Sequence, residues 1–228
     1  MDCKLLLLKT FLTMNALMEN KLVAGTIVAV LLFVGLFGVW KMINGTTSTS
    51  TDTNQPVIDL KVTNDDWQKG SASASATLVE YSDFQCPACK AYAPLVEAFA
   101  DKNKDKVRLV YRHFPLQQHK NALPASLFAE AAGMQGKFFE MHDKLFEGQS
   151  EWDKVSDPEK VFIKYAEELK LDIAKLKADA ASQKAKDSVN QDMASGNSAG
   201  VQATPTFFMN GKKIVSPQSL EDFEKLLQ

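Results

Sequence analysis

Cys86-Pro87-Ala88-Cys89 is the part of the chain best equipped for chemistry. Two thiols separated by two residues come close enough to close a small disulfide ring when they share the first turn of a helix. Unpaired N–H groups and the dipole at a helix start stabilise a thiolate there and lower the pKa of the first cysteine. Pro87 lacks an N–H and fits that first turn without loss. In this arrangement Cys86 is the exposed nucleophile and Cys89, one turn in, is the shielded resolving thiol. The residues alone leave three chemistries open: thiol–disulfide exchange, a zinc site completed by His113 and His119, and a passive structural disulfide. Zinc fits poorly, because a finger needs a second knuckle and 23 residues separate Cys89 from His113. So tight a loop constrains the unfolded chain little, which weakens the passive reading. Exchange is the favoured chemistry.

A strand must precede this pair and a helix must follow it. The sequence predicts a strand over Thr77–Tyr81 and a helix from Pro87 to Lys102. A second strand is expected at Val107–His113, where Val107, Leu109 and Tyr111 alternate with Arg108, Val110 and Arg112. From Lys120 to about Ala194 the pattern is helical, with Leu123, Leu127 and Ala131 spaced by four and Asp157-Pro158 opening one helix. A strand at Thr206–Met209, an Asn210-Gly211 turn, a strand at Lys213–Val215 and a last helix carrying Leu220, Phe223, Leu226 and Leu227 complete the order. A helical block is thus inserted between two halves of an α/β sheet.

The run Leu78-Val79-Glu80-Tyr81-Ser82-Asp83-Phe84-Gln85-Cys86-Pro87-Ala88-Cys89 resembles the active-site strand and helix start of DsbA-like proteins of the thioredoxin superfamily. Tyr111-Arg112-His113-Phe114-Pro115-Leu116 resembles the end of their second strand. The run from Gly200 to Gly211 resembles their cis-proline loop and the hairpin after it. The three motifs occur in the right order across residues 70–228. The resemblance implies an α/β thioredoxin fold with a helical insertion at about 116–196, and a protein thiol:disulfide oxidoreductase whose only redox group is the Cys86–Cys89 disulfide, with no metal and no other cofactor. It makes Pro205 a cis-proline packed against the cysteine pair. It has Thr204 offer its backbone to an extended substrate strand, a form of β-addition.

Glu80 falls where DsbA-like proteins carry a buried acid beneath the second cysteine. A carboxyl group there has a raised pKa and can take the proton from Cys89; the competing reading is an edge-strand glutamate in solvent. Pro87 and Ala88 lie between the cysteines and tune the potential. Ala88 stands where the strongest oxidants of the family carry histidine, and Ala203 where many relatives carry glycine. Phe84, with Phe114, is a candidate for the apolar rim that receives substrate, core packing being the alternative. His113 is expected to pack or to bond backbone, His119 and His142 to lie on the surface, and Trp67 and Trp152 to sit in loop-like stretches.

The rest of the chain concerns placement. Its 228 residues, 45% apolar and 24% charged, are those of a globular domain with an appendage, and a net charge of -2 gives no electrostatic case for nucleic acid. Leu22 to Trp40 is a run of 19 residues without a charge, bracketed by Lys21 and Lys41. A helix of that length covers about 28 Å, close to a bilayer core. One transmembrane helix is therefore expected at 22–43, with residues 1–21 cytoplasmic by the lysine asymmetry, a threonine- and serine-rich linker at 44–69, and the catalytic domain extracytoplasmic at a bacterial cell membrane. A cleaved signal peptide is the alternative. The partners implied are secreted or envelope proteins bearing thiols and, by the resemblance, a quinone-linked membrane protein that reoxidises the pair. No dimerisation module is visible, so a monomer is expected. A dithiol oxidase is the favoured activity; a reductase or isomerase of the same fold comes next, and a zinc-binding or scaffold domain after that.

Overall fold

The computed structural model describes residues 56–228. The span at 22–43 and the segment before it lie outside the described residues, and among those described no helix is long and apolar enough to cross a membrane. The fold is organised by β2 (Ala76–Ser82), in which every residue but Thr77 is buried. A strand so buried needs partners on both edges and cover on both faces. β3 (Val107–His113) pairs with it in parallel, from Ala76↔Val107 to Ser82↔His113. β4 (Thr206–Met209) pairs with its other edge antiparallel. β1 (Trp67–Lys69) and β5 (Lys212–Lys213) close the two edges, giving the order β1-β3-β2-β4-β5.

A parallel pair requires a crossover, and α1 (Pro87–Lys102) provides it. Its Val96, Phe99 and Ala100 cover the face carrying Leu78, Leu109 and Phe207, joined by Phe223 of α8 (Leu220–Lys225). Val79, Tyr81, Val110 and Phe208 fill the opposite face with Leu60, Phe114 and Val201. Between β3 and β4 run α2 (Ala122–Gly133), α3 (Phe138–Glu147), α4 (Gln149–Trp152), α5 (Glu159–Glu168), α6 (Ile173–Ala181) and α7 (Gln183–Ser198). These helices build a core of their own around Met141, Leu145, Trp152 and Phe162, and that core reaches Phe84, Cys86, Cys89 and Tyr111. The cysteine pair therefore sits where the insertion meets the sheet.

Several sequence expectations need correction. Trp67 is not in a loop: β1 pairs antiparallel with β3, and the indole stacks on Phe138 at 4.6 Å between centroids while its Nε1 donates to Glu130 Oε1 at 2.7 Å. Trp152 is fully buried in α4, with Nε1 donating to the Leu145 carbonyl at 3.0 Å. The segment before residue 70 is part of the domain rather than linker as far back as Ile58, whose N–H donates to the Gly211 carbonyl at 2.8 Å, and Leu60 is buried. Asn210 and Gly211 adopt φ of 50° and 77°, as a two-residue hairpin turn requires, but the strand after them ends at Lys213 instead of Val215. Both residues of β5 are exposed, and charged side chains suit an unpaired edge. Leu123 stays 46% exposed rather than joining the stripe of Leu127 and Ala131. Pro158, not Asp157, occupies the cap position of α5, and Asp157 Oδ1 accepts from the Glu159 N–H.

Trp67→Ala should lower the unfolding free energy by about 3 kcal/mol, the low end for loss of a large ring because the indole is half-buried. Chemical denaturation measures it. A change within about 0.5 kcal/mol would show that β1 does not anchor the edge.

Candidate active site

The turn between β2 and α1 is shaped by Asp83, whose side chain is fully buried. Asp83 Oδ1 accepts from the Gln85 N–H at 2.7 Å, and Oδ2 from the Leu116 N–H at 2.8 Å and His119 Nδ1 at 2.7 Å. Its carbonyl accepts from the Cys86 N–H at 3.0 Å. Three donors on one carboxyl group satisfy its buried oxygens. His119, expected on the surface, is thus tied to the floor of the site.

Cys86 caps α1 with extended backbone and Pro87 follows at the first helical position. Cys86 is 7% exposed and Cys89 is fully buried, and both are free thiols here. The Cys89 thiol donates to Cys86 and, with the backbone N–H groups of Cys89 and Ala88, pulls the Cys86 pKa down to about 5 against the opposing effect of burial. Cys89 is held protonated, well above the thiol range, by burial and then by its neighbour's charge. Its sulfur accepts weakly from the Asp83 N–H at 3.5 Å. Cys86, expected to be exposed, is buried instead, because the Thr204–Pro205 loop covers it, while Cys89 lies deeper as expected. The directions of the two shifts, down at Cys86 and up at Cys89, follow from that difference in depth and from the helix start.

The loop before β4 completes the site. The Thr204–Pro205 bond is cis, and the Thr204 carbonyl lies 3.4 Å from Cys86 Sγ. Thr204 Oγ1 is buried without a settled partner, and the hydroxyl favours the Cys86 thiolate. Pro87 and Ala88 are exposed beside them. Glu80 is 2% exposed in the central strand, not at an edge, and burial pushes its carboxyl up to about 7. A narrow cavity of about 10 Å³ runs beside it, lined also by Lys69, Glu97 and Asp143.

Phe84 does not face substrate. It is fully buried, stacked on Tyr111 at 5.4 Å and against Phe146 at 4.9 Å between centroids. Phe114 likewise packs against Tyr81. His113 is fully buried, with Nε2 3.0 Å from Glu130 Oε1. His142, also expected on the surface, packs edge-on against Tyr111 and Phe146. His113 and His119 each meet a carboxylate instead of the cysteines, and among the described residues no cluster of three or more His, Cys, Asp or Glu is arranged to hold a metal.

Sequence reasoning missed three carboxamides. Gln149 Nε2 donates to the carbonyls of Phe84 at 2.7 Å and Cys86 at 3.1 Å. Gln85 Nε2 donates to the Asp153 carbonyl at 2.6 Å, and its Oε1 accepts from the Asn121 N–H at 2.6 Å. Asn121 Nδ2 donates to the carbonyls of Trp152 and Val155, each at 2.9 Å. These neutral side chains bind the loop bearing Cys86 to the insertion. Only Gln85, next to Cys86, lay near a motif that could have drawn attention to it.

A family model described as thioredoxin matches residues 63–228. The chain belongs to the thioredoxin family. Its fold within that family is DsbA-like. α-DsbA1 from Wolbachia pipientis superposes with a TM-score of 0.65 at 21% identity, covering 73% of this chain and 90% of that one. Oxidised BdbD from Bacillus subtilis gives 0.63 at 24%, covering 76% and 96%. Among curated relatives, the Na(+)/H(+) antiporter NhaA 3 of Salinispora tropica is 37% identical over 173 residues, 74% of this chain and 26% of that protein. The chain thus spans about a quarter of the length of the curated relatives it matches.

A thiol ionising near 5 when folded and near 9 when unfolded links stability to pH. The contribution is complete above the unfolded value, falls as pH drops, and is gone below about 5. It exists only in the dithiol form, whereas burial acts on Glu80 in both forms. At pH 7 it is worth about 2 kcal/mol, after allowance for screening by water around the exposed Pro87 and Ala88. Denaturation of the two forms from pH 5 to pH 8 should show the dithiol form gaining on the disulfide form by about that amount between pH 5 and 7. A gap independent of pH would mean that Cys86 titrates as an ordinary thiol.

Proposed function

We propose that this domain is a thiol:disulfide oxidoreductase acting as a dithiol oxidase on secreted or envelope proteins. The observation that carries this reading is the placement of Cys86 at the start of α1, with buried Cys89 one turn in and the cis Thr204–Pro205 loop 3.4 Å away, a geometry that lowers the Cys86 pKa. Whatever stabilises the thiolate stabilises the dithiol form, and a disulfide whose reduced form is stabilised is a strong acceptor of electrons. A substrate thiolate attacks Cys86 Sγ in the disulfide, the sulfur–sulfur bond breaks, and Cys89 leaves with the electron pair and takes a proton. The second substrate thiolate then attacks the substrate sulfur of the mixed disulfide. Cys86 leaves as a thiolate, and the substrate has lost two electrons to the enzyme. An extended substrate segment runs along the backbone at Thr204, with Pro87, Ala88 and Pro205 around it, a reading supported by the 3.4 Å between the Thr204 carbonyl and Cys86 Sγ.

The reading extends to a domain tethered outside a bacterial membrane by the apolar run at 22–40 and reoxidised by a quinone-linked membrane partner. Ala88 favours the second reading, a reductase or isomerase, because a histidine there would add to thiolate stabilisation. The redox state of the pair in cells, trapped by alkylation, separates the two: a mostly disulfide population supports the oxidase, a mostly dithiol one the alternative. Cys89→Ala should accumulate mixed disulfides on Cys86, seen as adducts on non-reducing gels, and Cys86→Ala should form none. Equal adduct levels in the two variants would remove Cys86 as the attacked sulfur.

A further inference from the structure

Buried polar groups are almost always hydrogen-bonded, and each exception costs about 1–3 kcal/mol. Among the described residues the buried side-chain atoms without a partner are Glu80 Oε1, Ser82 Oγ, Tyr111 OH, His113 Nδ1 and Thr204 Oγ1. They are not scattered. Thr204 adjoins Cys86, and the other four residues form two registered pairs on adjoining strands, Glu80↔Tyr111 and Ser82↔His113. Alternate residues of a strand share a face, so all four side chains lie on the face of β2 and β3 that α1 and the insertion cover. A row of unsatisfied polar groups on the most buried pair of strands is expensive, and its position directly below the cysteines gives it a use.

Glu80 and Cys89 must exchange a proton if the carboxyl is to serve the buried sulfur, yet no hydrogen bond joins them. Ser82 lies one strand repeat, about 7 Å, nearer the turn on the same face. Its hydroxyl favours the ionised forms of Glu80, Cys89 and Tyr111 alike, while no contact to any of them meets hydrogen-bond geometry. That is the behaviour of a rotor within reach of three groups and fixed by none. Serine is suited to the task, since one hydroxyl can accept a proton and donate another.

We propose that Ser82 relays the proton between Glu80 and Cys89, an inference that rests on the thiol–disulfide exchange proposed above. When substrate attacks Cys86 and Cys89 leaves, Ser82 gives its hydroxyl proton to the departing sulfur and receives the carboxyl proton of Glu80. When Cys89 later attacks a mixed disulfide on Cys86, the thiol proton passes to Ser82 and the Ser82 proton to the Glu80 carboxylate, while the bound thiol leaves as a thiolate. Each direction moves one proton and leaves the serine unchanged. Tyr111, registered opposite Glu80, holds its own proton through burial and stands beside the path as a fixed dipole.

Stopped-flow oxidation of a two-cysteine peptide by the oxidised full-length chain tests the relay. Ser82→Ala should slow the reaction about tenfold or more, as loss of a positioned proton carrier does. The loss should not add to that of Glu80→Gln, so the double variant runs no slower than Glu80→Gln alone. Ser82→Thr should return to within about twofold of the wild-type rate, whereas Ser82→Val, equal in size without the hydroxyl, should not; this pair separates the oxygen from packing should the alanine variant fold poorly. A wild-type rate in Ser82→Ala, equal rates in the Thr and Val variants, or effects that multiply with Glu80→Gln would each overturn the relay while leaving exchange intact. A wild-type chain that oxidised no peptide would instead overturn the exchange reading, and the relay with it.

Discussion

The negative charge on Cys86 is the constraint around which the rest of the structure is arranged. A thiolate nearly removed from water is unfavourable unless dipoles point at it, and the first turn of α1 supplies them. The helix can do so only if its start is held still, which Asp83 achieves by accepting from Gln85, Leu116 and His119. The parallel pairing of β2 with β3 then brings the sequence distant by thirty-odd residues to the same turn: Leu116 and His119 follow β3 immediately. Fold and charge are thus one problem, solved by a single buried carboxylate that contacts neither substrate nor sulfur through its oxygens.

Much of this was legible in the sequence because it is local. The strand before Cys86, the helix from Pro87, the strand at Val107–His113 and the Asn210-Gly211 turn after Pro205 follow from alternation, proline position and an Asn-Gly pair, and the structure has each of them, though the strand after the turn is shorter. The reading failed where side chains act over long sequence distances. Trp67 looked like loop because three residues of edge strand carry no periodicity, and its partners Phe138 and Glu130 lie more than sixty residues away. His119 and His142 looked like surface residues because polarity alone cannot reveal a carboxylate or an aromatic box assembled from other elements. Phe84 looked like rim because it neighbours the cysteines, but alternation past the end of β2 turns it inward, onto Tyr111. Glu80 shows the converse: its role came from resemblance, and its central place in the sheet is what makes burial raise its pKa.

The buried polar row on β2 and β3 also explains why the sheet is so heavily covered. A strand pair bearing Glu80, Ser82, Tyr111 and His113 on one face would not hold together on its own hydrophobicity. Behind it Val79, Val110 and Phe208 pack with Tyr81, whose hydroxyl meets the buried Arg112 guanidinium paired to Asp66, and aromatic rings from the insertion close over the front.

The amide clamp of Gln85, Asn121 and Gln149 bears on how such a domain can be divided. The insertion looks like an accessory placed on a smaller scaffold, yet Gln149 of its short helix α4 grips the carbonyl of Cys86 itself. Excising the helices to leave a minimal sheet with its crossover would take the Gln149 donor from the carbonyls of Phe84 and Cys86, leaving the latter only the Lys90 N–H of α1. The module boundary drawn by topology is therefore not a boundary for the hydrogen bonds around Cys86, and a graft of this cysteine motif onto a bare thioredoxin frame would leave the Gln149 clasp behind.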